Sequence, residues 1–222
     1  PVSYHVLILV ALVLAGGVLG LPRSQVSLSV SLVRLPVFAS GTWMFGLAMA
    51  LAWSTSGMTI AVVPLELAAR GLGGWTGLVV FLAIFVGFLC QPLARRMTNA
   101  RALSVGFVLV PLGFVVLLLG VWFNALILVL LGTCITSAAS YGFTYLASLA
   151  EVARRAPDDQ ARATAGLFVY AYLGFSVPVI VTGLLADALG LLPAMILFLA
   201  ALVGATLTVF GRWQRSDSAL IV

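Results

Sequence analysis

The chain has 222 residues, 63% of them hydrophobic and only 8% charged, with a formal charge of +5 and a mean hydropathy of +1.24. A soluble domain carries roughly 25% charged residues, so this composition excludes a soluble globule and predicts an all-α integral membrane protein. It also excludes a membrane barrel, whose segments alternate over about ten residues, because the apolar runs here are continuous and longer.

Seven apolar runs follow one another: 4–21, 36–69, 75–94, 102–120, 125–150, 164–186 and 191–210. Most approach the ~20 residues that cross a bilayer as a helix. The first has His5 at its rim and no basic segment ahead of it. Ala15-Gly16-Gly17 is followed by more apolar sequence, which argues against a signal peptide. Pro1 stands where a start methionine would, so a fragment or trimmed start is expected. Residues 22–35 are serine-rich, carry Arg23 and Arg34, and read as a linker.

The second run is too long for one straight span and is expected to bend near Ser54–Gly57 or Pro64. It holds Trp53, Ser54, Thr55, Ser56 and Thr59, with Glu66 near its end beside Arg70. The third run stops at a packet of three arginines, Arg95, Arg96 and Arg101. The fourth and seventh runs are almost wholly apolar and are expected to face lipid over most of their surface. In the fifth, Thr133, Ser137, Tyr141 and Tyr145 recur at i, i+4, with Thr136, Ser140, Thr144 and Ser148 in the adjoining row. Polar groups facing hydrocarbon are costly, so this stripe is expected to line a cavity. The sixth run carries Tyr170, Tyr172, Gly174, Ser176 and Pro178.

All eleven basic residues are arginine, and alternate connections hold ten of them on one side against Arg70 alone on the other. The positive-inside rule then puts the arginine packet and the C-terminus in the cytoplasm and the first residues outside. The same topology explains the net positive charge without nucleic acid as a partner. No acidic residue falls at mid-membrane: Glu66 and Asp187 lie near outer helix ends, Glu151, Asp158 and Asp159 near the inner surface, and Asp217 in the tail. Glu66 is the least implausible titrating group if protons move. Cys90 and Cys134 read as inert thiols inside apolar runs. No metal-ligand spacing, phosphate loop or nucleophile–base arrangement is present. The absence of lysine excludes a retinal Schiff base. Neither an enzyme nor a bound cofactor is expected.

Three motifs carry a resemblance. Pro64-Leu65-Glu66-Leu67 is followed by Gly71-Leu72-Gly73-Gly74 and Gly77. Gln91-Pro92-Leu93-Ala94-Arg95-Arg96 is followed by Arg101-Ala102-Leu103. Tyr172-Leu173-Gly174-Phe175-Ser176-Val177-Pro178 is followed by Gly183, Asp187 and Gly190. In order and spacing these resemble the major facilitator superfamily of transporters, from its sixth helix to its end. The second motif departs from the family's basic loop: Thr98 and Asn99 stand in a region that in full form holds an aspartate and a glycine. Gly183, Asp187 and Gly190 repeat a G-x-x-x-D-x-x-G spacing at the outer turn without arginines, as an inverted repeat would.

The resemblance implies seven transmembrane helices. Residues 1–21 would be the last helix of a missing N-terminal bundle, 22–35 a cytoplasmic linker, and 36–222 a six-helix bundle with a 3+3 inverted repeat. It implies a secondary transporter in the cytoplasmic membrane, moving a small amphipathic or neutral organic solute by alternating access, with proton-coupled efflux as one mode. Its partners would be the solute, the lipid bilayer and the N-terminal half. The family places its seventh and tenth helices, here the second and fifth, at the central cavity. Candidate cavity residues are Trp53, Ser54, Ser137, Tyr141, Tyr145 and Tyr170. Two other readings stay open: a complete seven-helix receptor or sensor, and a scaffold subunit in which the polar stripe is packed dry. A cysteine placed at Thr98 should react with a membrane-impermeant maleimide only from the cytoplasmic face. Labelling in intact cells would put the arginine turn outside.

Overall fold

The computed structural model describes residues 2–21 and 35–218. The linker residues 22–34, with Arg23 and Arg34, lie outside the described residues. The chain divides into two units, Pro1–Arg34 and Leu35–Val222. The first contains helix α1, Val2–Leu19. The second contains α2 (Trp43–Ala69), α3 (Gly73–Ala94), α4 (Asn99–Trp122), α5 (Leu126–Arg155), α6 (Gln160–Leu189) and α7 (Leu191–Ser218). Among the described residues there is no strand. Helices α2 to α7 are each long and apolar enough to cross a membrane, whereas the apolar stretch found in α1, Ile8–Leu19, is shorter. Six such helices mark a multi-pass, all-helical membrane protein, because in hydrocarbon a spanning backbone must satisfy its own polar groups.

The helix ends follow local chemistry. Gly71 and Gly190 adopt positive φ, +73° and +88°, in the tight turns after α2 and α6, a conformation glycine reaches without steric cost. Asn124 does the same at φ 54° between α4 and α5. Thr98 caps α4, its hydroxyl accepting the Arg101 N–H at 3.3 Å, as N-cap residues do. Residues 36–42, expected inside the second apolar run, instead form an irregular lead-in to α2. This lead-in is pinned to α6: Val37 N–H donates to the Arg162 carbonyl at 3.0 Å, and Arg162 Nε donates to the Leu35 carbonyl at 3.0 Å.

The expected irregularity in α2 takes the form of a π-helical turn at Met58–Val62, between the two predicted positions. Pro64 lies just beyond it and has no N–H to give the preceding turn. A second π-helical segment interrupts α5 at Ala138–Thr144. Such segments are rare, and they concentrate where helices carry function.

Helix α4 corrects a sequence expectation. It was expected to face lipid, yet half of its apolar window is buried. Leu103, Phe107, Val110, Phe114, Leu117 and Val121 form its inward stripe. Its contact with α5 depends on Gly106, Gly113 and Gly120, seven residues apart. A Cβ on Gly106 would strike Thr144 Oγ1, one on Gly113 would lie 2.8 Å from the Thr136 nitrogen, and one on Gly120 would lie 2.8 Å from the Leu128 carbonyl carbon. Lipid-facing and core-facing helix surfaces are both apolar, so composition alone does not separate them. The expectation for α7 fares better, since only 28% of its apolar window is buried; in α3 and α6 the buried share is smaller still, 22% and 17%.

The α2–α6 contact is equally close. A Cβ at Gly174 would strike the Ala50 backbone, and one at Gly57 would strike the Phe175 carbonyl. Replacing Gly113 with valine should destabilise the bundle by about 1–3 kcal/mol or more, read as a lower unfolding midpoint in detergent. An unchanged midpoint would contradict the α4–α5 contact.

Candidate functional site

Helices α2, α5 and α6 bring five aromatic rings together. Trp53 of α2 is the hub. Its ring centroid lies 5.4 Å from Tyr141, 6.0 Å from Phe168 and 5.7 Å from Tyr172. Tyr145 joins through Phe168 at 6.2 Å. The Phe168 and Tyr172 contacts with Trp53 are edge-on, the arrangement that ring quadrupoles favour. Tyr172 is 61% exposed, so the cluster is also a surface. The Trp53 indole N–H is buried without a hydrogen-bond partner among the described residues. Leaving such a donor unpaired costs about 1–3 kcal/mol, which an acceptor on a bound molecule or neighbouring chain would recover.

Behind this aromatic wall lies a buried polar seam. Ser56 and Ser140 share a hydrogen bond of 2.9 Å between hydroxyls, joining α2, two residues before its π-helical turn, to the π-helical segment of α5. Ser140 also lies 2.7 Å from the Thr136 carbonyl, and Thr59 donates to the Thr55 carbonyl. Ser137 accepts the Gly87 N–H of α3 at 2.8 Å. Gln91 Nε2 reaches the Tyr141 carbonyl at 3.4 Å, an oxygen inside the π-helical segment. Gly87 makes the α3–α5 approach possible, because a Cβ there would lie 2.5 Å from the Ser137 carbonyl oxygen.

The sequence-predicted residues therefore separate. Trp53, Tyr141 and Tyr145 meet in one cluster. Ser137 does not line a cavity: it is 1% exposed and its hydroxyl is engaged by α3. The rest of its stripe is likewise buried, with Thr133, Thr136, Ser140, Thr144 and Ser148 all in the interior. The physical reason is size. Short hydroxyl side chains stop at the neighbouring backbone, whereas the tyrosine rings on the same face reach past it. Ser54 is buried too and donates to the Leu51 carbonyl at 2.6 Å. Tyr170 packs away from the cluster, edge-on to Phe38 at 5.7 Å and over Gly46.

Phe168 and Tyr172 complete the cluster from outside the sequence-predicted set, although their i, i+4 spacing on α6 signals a shared face. Gln91 was noted only as part of a motif. Arg95, Arg96 and Arg101 are exposed at the turn between α3 and α4. Nearby, Glu151 accepts from Asn99 Nδ2 at 2.9 Å and pairs with Arg154 at 2.7 Å, while Arg155 donates to the Gly41 carbonyl and sits 4.7 Å over the Phe45 ring. Glu66 pairs with Arg70 at 2.7 Å and so is not an isolated carboxylate. Gly183 and Asp187 are exposed on α6, and Gly190 forms the turn that follows. Among the described residues no three His, Cys, Asp or Glu side chains converge as a metal site requires.

No protein-family model matches the chain, and neither does any curated protein or solved structure. Ser56→Ala and Ser140→Ala should each cost about 0.5–1.5 kcal/mol, and a double-mutant cycle on unfolding midpoints should show coupling between them. Strict additivity would remove the α2–α5 hydroxyl bond.

Proposed function

We propose that the chain is the C-terminal part of a facilitator-type secondary transporter, and that its aromatic wall contacts a small amphipathic or neutral organic solute. The observation that carries this reading is the partly exposed ring cluster built on Trp53, with its unpaired indole N–H, on three helices of which α2 and α5 are interrupted by π-helical segments. Aromatic rings and hydroxyls without a carboxylate suit a solute with flat apolar surface and few hydrogen-bonding groups. A sugar would need more amide and carboxylate partners.

The proposed architecture is seven spanning helices, with α1 belonging to a preceding bundle and α2–α4 and α5–α7 forming an inverted pair of triples. Its support is a correspondence between α2 and α5. Each opens a triple, each is interrupted near its middle by a π-helical segment, and the two cross at Ser56 and Ser140. The exposed α3 and the face of α6 that carries Val169 and Tyr172 then offer surfaces for the other bundle, in the cytoplasmic membrane with the C-terminus inside. Proton coupling would require a carboxylate outside this part of the protein, or Glu66 released from Arg70.

A second reading has one observation in its favour. A scaffold subunit is expected to pack the polar stripe dry, and the serines and threonines of the stripe are buried. Flux of an amphipathic dye such as ethidium, measured in vesicles carrying the full-length protein, separates the two. Trp53→Ala and Tyr141→Ala should cut flux severalfold with folding intact, while Tyr170→Phe should not. Normal flux in the first two variants would move the solute path elsewhere, and absence of flux in the parent protein would favour the scaffold.

A further inference from the structure

The helices that close the two triples pack differently. Helix α4 lies against α5 through its three glycines. Helix α7 stands off α2, and a Cβ on its Gly204 or Gly211 would meet nothing within 4 Å. The gap is a groove of about 770 Å³ between α2, α6 and α7, lined by residues including Leu47, Ala50, Gly174, Val181, Ala201 and Ala205. Its lips continue into exposed apolar side chains, Val177, Ile180 and Leu184 of α6 and Leu197 and Leu207 of α7. These belong to the outer surface of spanning helices, so the groove opens sideways into the bilayer.

Three hydroxyl residues line it. Ser54 and Thr208 donate to carbonyls of their own helices, Leu51 and Gly204. Thr182 is different: it is 2% exposed and its hydroxyl makes no hydrogen bond among the described residues. The groove thus offers long apolar walls and one unspent donor.

Depth identifies the occupant. At 1.5 Å per residue the groove extends about 18 Å along α6, from Leu173 to Leu185, close to the roughly 15 Å depth of one leaflet of a 30 Å hydrocarbon core. The 30 residues of α6 span about 45 Å, which overshoots that core by roughly 7 Å at each end. Thr182, seven residues from the Leu189 end, lies about 10 Å in. It therefore sits just inside the boundary where lipid ester carbonyls are found. We infer that this groove is a binding site for one acyl chain of a membrane lipid, with the ester carbonyl accepting the Thr182 hydroxyl. The inference does not depend on transport. A water-filled groove is disfavoured by its apolar walls, and an empty one would forfeit dispersion contacts along all three helices.

The test is photo-crosslinking of the full-length protein in nanodiscs of phosphatidylethanolamine and phosphatidylglycerol, doped with a phosphatidylglycerol bearing a diazirine on one acyl chain. Mass spectrometry maps the labelled peptides, and thermal melts check folding of each variant. Labelling should concentrate on 173–185 and 197–209, severalfold above the exposed α3 face around Phe88. Gly204→Leu, which adds bulk at a groove-lining position where a Cβ meets nothing within 4 Å, should abolish that excess. Gly183→Leu, equally free of neighbours but outside the groove, should leave it intact. Thr182→Val preserves shape and should lower the excess severalfold. Should Gly204→Leu fail to fold, Ala201→Leu fills the same space and Thr182→Val still tests the hydroxyl. Uniform labelling of all exposed faces, insensitivity to Gly204→Leu and Ala201→Leu, or crosslinks joining two copies of the chain through α6 and α7 would each overturn the lipid site. An unchanged yield in Thr182→Val would overturn the carbonyl contact.

Discussion

Apolar helices in a bilayer gain nothing from hiding from water, since lipid tails are as apolar as their own side chains. What they can gain is close contact, and this bundle obtains it wherever a glycine or alanine lets one backbone meet another. Gly113 against Thr136, Gly87 against Ser137 and Gly174 against Ala50 hold three different helix pairs. The hydroxyl bonds follow from that proximity. Ser56 and Ser140 reach each other, and the Gly87 N–H reaches Ser137, only because no larger side chain intervenes.

Close contact also determines where contact fails. The α2–α6 seam is so tight at Gly174 and Ala50 that it separates two environments on either side of the pair. On one side lie the rings around Trp53, with polar atoms at their edges. On the other lies the groove against α7, with little polar surface. A solute-facing wall and a lipid-facing groove can therefore share two helices while selecting different chemistry. The π-helical segments add a second constraint, because widening a helix frees backbone groups that hydrocarbon will not satisfy. The Gln91 amide at the Tyr141 carbonyl shows one such group finding a partner.

Much of this was legible in the sequence. Length and hydropathy mark seven apolar runs, six of which form helices long enough to span, and Glu66, expected near Arg70, pairs with it. Trp53, Tyr141 and Tyr145 were selected from two separate helices and do meet. The failures share a cause. Helical periodicity states which residues share a face but not what lies opposite, so Ser137 could not be separated from Tyr141, four residues on. Tyr170 and Tyr172 differ by about 200° around α6 at 3.6 residues per turn, and only the packing of α2 reveals which one reaches Trp53. The glycine heptad of α4 was present in the sequence, but an apolar helix was read as a lipid-facing one.

The arrangement rests on α2 and α5 crossing where Ser56, just before the π-helical turn of α2, meets Ser140 in the π-helical segment of α5. Cysteines at positions 56 and 140, with Cys90 and Cys134 replaced by alanine, test that crossing in native membranes. Under mild oxidation the two should form an intramolecular disulfide, detected after cleavage at a protease site engineered into the turn between α4 and α5. If both thiols instead stay free and react independently with maleimide, the helix order described for this bundle is wrong.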